Sequence, residues 1–353
     1  MLFRSFLTLL DPGDKDYLPP EAIPVVPDVK RKVAVAGDLT WDIDPKIRFG
    51  DGQRVVPFQR EAEVGEDLRD VEMRFVPDFA DNIEFRMKVR NACEGNKTAQ
   101  EYQKLLCKNS IVYYCNTWCW TFHPGKQAQP FIAFEIQKEI LCFFAWLVKL
   151  RLTGLIEKSR EGGVSWLMCI ASDWLCRFFP QYWALHLSVT EEEVDNRSVK
   201  SLMGKVRFLL KNNPEWLRMG WVEKAPGIDT KMNMQFPETE SVIQGELTGG
   251  QAGIGGRANV ALYDEFARVI GASDTLEASS SLAFAKVLVS TVKGMGNAFA
   301  RIAHDPATNK IRFHWSDHFY KDEKWSIRER AKTEYTDEIW AQEQDISYVA
   351  STA

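Results

Sequence analysis

Leu155-Ile-Glu-Lys-Ser-Arg-Glu-Gly-Gly-Val-Ser-Trp166 reads as an apolar strand, a glycine-bearing turn and the opening of a helix. That order suits phosphate, because N–H groups at a helix start have no partner within the helix, and Gly162 and Gly163 let the chain approach closely. Ser165 supplies a hydroxyl of the kind that ligates Mg2+. The generic triphosphate-loop pattern GxxxxGK[ST] is only half kept: Lys158 stands at its first glycine and Val164 at its lysine. A second stretch, Asn259-Val-Ala-Leu-Tyr-Asp-Glu265, is an apolar strand ending in two carboxylates. Beside a phosphate loop, Asp264 is read as the acid that holds Mg2+ through water and Glu265 as the base that orients and deprotonates an attacking water. Neighbouring strand residues alternate, so the two acids are expected on opposite faces.

Working outward, short apolar strands alternate with helices after Phe131, the signature of a parallel sheet covered on both sides. Strands are expected at Thr153–Ile156, Trp183–Val189, Ser241–Gly245, Asn259–Tyr263 and Lys286–Ser290, with helices over Ser165–Phe179 and Glu191–Asn212. Asn82 to Lys108 reads as charged helix, followed by the aromatic segment Ile111–Phe122. Residues 11–80 are rich in Pro, Asp and Arg and read as an irregular arm. From His304 the chain turns polar, with a charged helix over Trp325–Thr333. The expected units are an arm and lead-in helix (1–110), a nucleotide-binding core (111–303) and a small lid or linker (304–353).

The 353 residues include 45% hydrophobic and 26% charged positions, enough for a sizeable core, and the net charge of −5 provides no global field to attract nucleic acid. Seven cysteines, an odd number lying mostly in apolar runs, argue for a reducing compartment and against a disulfide framework. Cys115, Cys119 and His123 recur every four residues, but a fourth zinc ligand is missing and packing is the preferred reading. Phe131–Leu150 carries Glu135, Lys138, Glu139 and Lys149, which argues against a membrane span. A soluble, intracellular protein is expected.

A third strand ends in Val287-Leu-Val-Ser-Thr-Val-Lys-Gly-Met-Gly-Asn-Ala-Phe299. Here the chain resembles the large terminase subunits, motors that package viral DNA in tailed bacteriophages, whose coupling motif is a strand ending in Ser-Thr before a glycine-and-asparagine turn. In that family the loop lysine is often displaced to the loop's first position, as Lys158 is, and an arginine matched by Arg160 lies in the loop. Pro130-Phe-Ile-Ala-Phe-Glu-Ile-Gln137 looks like the family's adenine-reading glutamine segment. Leu187-Ser-Val-Thr-Glu-Glu-Glu193 resembles the motif after its second core strand, and Gly255-Gly-Arg-Ala-Asn259 its approach to the acidic strand. The match covers roughly residues 105–350.

The resemblance implies an α/β P-loop NTPase core of the RecA-like, ASCE type, with a mainly parallel central sheet flanked by helices. It implies ATP and Mg2+ as ligands, bound by Gln137, Lys158, Ser159, Arg160, Gly162, Gly163, Val164, Ser165 and Trp166. Ser165 and Asp264 hold the metal, Glu265 and Arg160 are catalytic, and Ser290 and Thr291 couple loss of the γ-phosphate to movement of the segment after His304. The implied partners are double-stranded viral DNA, the procapsid portal protein, a small terminase subunit and further copies of this chain in a ring. The implied setting is the host cytoplasm, docked transiently at the portal, with no membrane. Family members usually continue past a segment like Gln342–Ser351 into an RNase H-like nuclease, so a motor without nuclease activity is expected.

Rival readings are another P-loop translocase such as a helicase, or a nucleotide-binding assembly protein without turnover, which Val164 makes thinkable. Arg257 and Arg268 are candidates for a finger reaching a neighbouring subunit, against ordinary surface arginines. Lys200, Lys205, Arg207 and Lys211 are a candidate DNA-facing cluster, against a solvated face. The aromatic run Tyr113–Phe122, with Trp166, Trp174 and Trp183, is assigned to packing rather than base stacking. His186 is read as a satisfied core residue, and His314 and His318 as no metal site.

Overall fold

The structure is a computed structural model and describes residues 82–123, 127–248, 257–269, 282–318, 321–332 and 336–349. The Pro-rich arm and the Gly255-Gly256 pair lie outside them. Three helices open the described chain: α1 (Asn82–Cys93), α2 (Lys97–Asn109) and α3 (Ile111–Trp118). A hairpin of β1 (Trp120–His123) and β2 (Gln127–Pro130) follows. Next come α4 (Glu135–Leu150), β3 (Thr153–Lys158), α5 (Val164–Phe178), β4 (Trp183–Ser188), α6 (Glu191–Asp195) and α7 (Leu202–Lys211). The remainder is β5 (Asp229–Thr230), β6 (Asn233–Phe236), β7 (Ser241–Leu247), β8 (Ala258–Tyr263), β9 (Ala283–Ser290), α8 (Ala298–His304), β10 (Asn309–Phe313), α9 (Glu323–Arg330) and α10 (Asp337–Glu343).

Eight strands form the central sheet in the order β10-β3-β9-β8-β4-β7-β6-β5. The first six are parallel, and β6 and β5 add an antiparallel edge. Alternation along each strand divides the core between the two faces. Ile156, Val260, Leu262, Val287 and Val289 pack on one side, and Leu155, Leu187, Ala261, Tyr263 and Leu288 on the other. The mainly parallel, two-sided α/β architecture expected from the sequence is the one observed, and the five expected strands are all present.

α4 explains the apolar run that ends at Leu150. Its residues from Ile136 to Val148 are all buried, so this is a core helix, and no described helix is long and apolar enough to cross a membrane. The seven cysteines are free and buried. Cys119 terminates α3 and His123 lies on β1, so the fourfold spacing is not helical, and no cluster of three metal-ligating side chains occurs among the described residues.

Two expectations are corrected. The helix expected over Glu191–Asn212 is two helices, because Asn196 and Ser198 turn the chain with side-chain bonds and Ser201 caps a fresh start by accepting from Gly204 N–H. Of the basic cluster, Lys200 precedes the second helix and Arg207 does not reach a solvent face. Arg207 is buried and forked between Asp195, at 2.6 Å, and Asp229, at 2.7 Å, while Lys211 pairs with Glu223 at 2.5 Å. A strand the sequence reading did not draw, β10, lies within the segment read as a lid and pairs with β3.

Candidate nucleotide site

Because β3, β9 and β8 are parallel neighbours, the residues after their carboxyl ends meet at one edge of the sheet, where open α/β folds bind ligands. The turn after β3 leads to the N-terminus of α5. Gly163 caps that helix with φ of +77°, and Glu161 also has a left-handed backbone at +63°; such reversals curl successive N–H groups into a concave, anion-accepting surface. Gly162 is required for another reason: a Cβ there would stand 2.5 Å from the ring of Phe313. Val164, at the generic lysine position, is buried and offers no charge.

The displaced amine does reach the acids. Lys158 Nζ donates to Glu265 Oε1 at 2.7 Å, although the two residues come from different strands. Ser165 Oγ donates to Asp264 Oδ2 at 2.8 Å, and Ser290 Oγ donates to Glu265 Oε2 at 3.4 Å while accepting from the Ala267 N–H at 3.2 Å. Thr291 follows, half-buried. The acids do not divide between opposite faces as expected. β8 ends at Tyr263, and Glu265 adopts a left-handed backbone, φ of 53°, which brings both carboxylates within the influence of Lys158.

Electrostatics separate the two acids. Burial, reinforced by the Glu265 charge, holds Asp264 above the usual carboxylate range despite Lys158. Burial also opposes ionisation of Glu265, but the Lys158 charge and hydrogen bond prevail and hold it below that range. Burial disfavours the Lys158 ammonium, and the two acids more than restore it, so its pKa is raised. Asp264 Oδ1 is buried and has no hydrogen-bond partner among the described residues. A hydroxyl and a carboxylate with a bare oxygen are hard donors, and this pair fits Mg2+.

The rest of the loop is held from the C-terminal segment, which the sequence reading missed. Ser159 N–H donates to Phe313 O at 2.8 Å and Ser159 Oγ to Gln344 O at 2.5 Å. Arg160 N–H donates to Glu343 O at 2.7 Å, its guanidinium contacts both oxygens of the Glu343 carboxylate, and Lys321 Nζ donates to Arg160 O. No pattern at Glu343 or Lys321 announces contacts to residues more than 150 positions away. Gln137 is buried below the loop and bonds to Gly162 O. Trp166 packs edge-on against Phe208, consistent with the packing role given to the aromatic residues, and Lys205 lies over its ring.

Of the outlying candidates, Arg257 lies over the Phe284 ring and Arg268 pairs with Glu193. His186 is buried with Nε2 2.7 Å from Ser172 Oγ, but its Nδ1 has no partner among the described residues, so it is only half satisfied. His318 packs against Phe134 and Phe313.

No family model and no curated protein matches the chain. Among solved structures it is similar to the large terminase of bacteriophage HK97, with 12% identity and a TM-score of 0.49 over 68% of this chain and 54% of that one. It is also similar to the large terminase ATPase domain of Thermus phage P74-26 (15% identity, TM-score 0.37, covering 56% and 89%). A third similarity is to the large terminase from a thermophilic bacteriophage, solved in complex with ADP (14% identity, TM-score 0.46, covering 60% and 53%). The chain thus spans about half the length of the first and third of these proteins.

Proposed function

We propose that this chain is an ATP hydrolase and the motor part of a DNA-packaging terminase. The observation that carries the reading is the convergence of Lys158, Ser165, Asp264, Glu265 and Ser290 beside a helix N-terminus at the carboxyl edge of the sheet. Ser165 and Asp264 would hold Mg2+, which when bound neutralises charge on the phosphates. Lys158 and Arg160 lie at the start of the loop, where two cations can spread charge over the β- and γ-phosphates. An arriving triphosphate competes with Glu265 for the Lys158 ammonium. Released from that bond, the Glu265 carboxylate orients a water and takes its proton, and Ser290, bonded to the same carboxylate, is positioned to register the change. Catalysis here is positioning and electrostatics, with no covalent step on the protein.

Through Ser290, Thr291 and the contacts of Ser159 and Arg160 with the C-terminal segment, hydrolysis would move that segment and drive double-stranded DNA into a procapsid. Portal protein, a small terminase subunit and a ring of copies complete this reading, in the cytoplasm of an infected host.

The test is Mg2+-dependent phosphate release from ATP by the wild-type chain and by Glu265→Gln. The reading requires turnover in the wild type, a loss of roughly 10² to 10⁴ in the variant, and ATP affinity retained in both. A wild type that binds ATP without hydrolysing it would support the assembly-protein reading, which the buried Val164 at the usual lysine position favours. Separation of DNA strands would support a helicase instead.

A further inference from the structure

Resting on the reading of this site as a triphosphate site, we infer that Gln137 is a positioning residue for the phosphate loop and does not select the base. Its side chain is tied to backbone at both ends: Nε2 donates to Gly162 O at 3.0 Å, and Oε1 accepts from the Phe134 N–H at 3.3 Å, closing the first turn of α4. The residue is only 5% exposed. A Cβ on Gly163 would stand 3.2 Å from Nε2 and 4.0 Å from the Phe131 ring, so the loop lies directly on this amide. The Phe134 ring is in turn packed against Phe313 and His318, and Phe313 is the ring that Gly162 accommodates.

The consequence follows from peptide geometry. In a trans peptide the carbonyl and the next N–H point in opposite directions. Fixing the Gly162 carbonyl toward Gln137 therefore aims the Gly163 N–H away from α4, between the two left-handed residues Glu161 and Gly163. Without the amide that peptide is free to turn over and present a carbonyl oxygen where an anion needs a donor. Gln137 so governs affinity for the phosphate chain whatever base is attached.

The test uses a base-free probe. Binding of inorganic tripolyphosphate, ATP and GTP, each with Mg2+, is measured for the wild-type chain and for Gln137→Ala and the nearly isosteric Gln137→Met, with melting temperature recorded in parallel. Loss of the positioning bond predicts a drop of about tenfold for all three ligands, with the ATP-to-GTP ratio unchanged. A drop for ATP alone, with tripolyphosphate and GTP unaffected, overturns the inference in favour of adenine reading. A lowered melting temperature with all affinities unchanged overturns it in favour of a mere helix cap. Should the wild type bind neither ATP nor tripolyphosphate, the triphosphate reading itself fails, an outcome distinct from the other two.

Discussion

Two ion pairs flank the glycine-bearing loop after β3, two residues apart in sequence and nearly equal in length. Lys158 meets Glu265 at 2.7 Å with side chains 9% and 23% exposed, and Arg160 meets Glu343 at 2.6 Å with side chains 58% and 19% exposed, so it is the cations that differ. Their difference is environment. A pair withdrawn from water is costly to break because each partner, left alone, is a desolvated charge, whereas an exposed pair gives up little that water does not replace. The first pair therefore keeps Lys158 against Glu265 until a strongly charged anion takes the carboxylate's place. The second is readily exchanged, and a phosphate group would be a competitive partner for the arginine.

Two substitutions break the comparison at its widest point. Arg160→Gln is expected to reduce ATP turnover by roughly 10³ to 10⁵, the range of a charge-stabilising arginine, while unfolding stability changes by no more than about 1 kcal/mol. Lys158→Met is expected to abolish turnover as well, but to cost about 3 kcal/mol of stability by stranding two acids beside an apolar side chain. Phosphate release and urea unfolding on the same preparations decide. Equal stability losses in the two variants would mean that burial does not distinguish the pairs.

The contrast also shows what sequence could and could not reveal. Strands β3, β8 and β9 were legible because short apolar runs ending in chemistry-bearing groups leave few alternatives, and the acids were legible as a pair. Their shared side of the sheet was not, since it depends on the left-handed backbone of Glu265, a conformation few non-glycine residues adopt. β10 escaped because Asn309-Lys-Ile-Arg-Phe313 has only two buried apolar positions, Ile311 and Phe313, too short a run to announce a strand without its partner β3. Arg207 escaped for the converse reason: a basic residue on a helix looks solvated until the two aspartates that draw it inward are located.

A buried group without an ionic partner sharpens the argument. His186 sits on β4, with Nε2 2.7 Å from Ser172 Oγ and Nδ1 without a hydrogen-bond partner among the described residues. Burial, helped by the nearby Lys205 charge, depresses its pKa to about 3, against an ordinary value near 6.5. The folded pKa is the lower one, so the stability associated with the neutral ring is fully present above about pH 6.5 and declines as pH falls toward 3. The slope is about 1.4 kcal/mol per pH unit, or about 2 kcal/mol at pH 5. Between pH 7 and pH 5 the stability measured by urea unfolding should fall by about 2 kcal/mol more in the wild type than in His186→Gln, the loss common to both coming from groups such as His314 and His318, whose pKa values burial also lowers. Parallel profiles for the two proteins would mean that the ring is not held neutral by burial.

The smallest expected effect tests the exposed pair itself. Glu343 holds Arg160 through its carboxylate and, separately, through its backbone carbonyl. Glu343→Gln removes the charge and leaves the backbone bond, so the C-terminal segment should remain docked through the Ser159–Gln344 contact and through Tyr348, whose hydroxyl donates to the buried Glu157 at 2.6 Å. Unfolding stability should then shift by less than about 1 kcal/mol. The arginine, released from the Glu343 charge, should bind triphosphate more tightly, by a factor of up to about 5, the equivalent of one exposed ion pair. The gain should shrink in high salt, where screening has already weakened the competing pair. An affinity for ATP that falls in Glu343→Gln would mean that the carboxylate organises the loop for phosphate, and the two flanking pairs would then share one role.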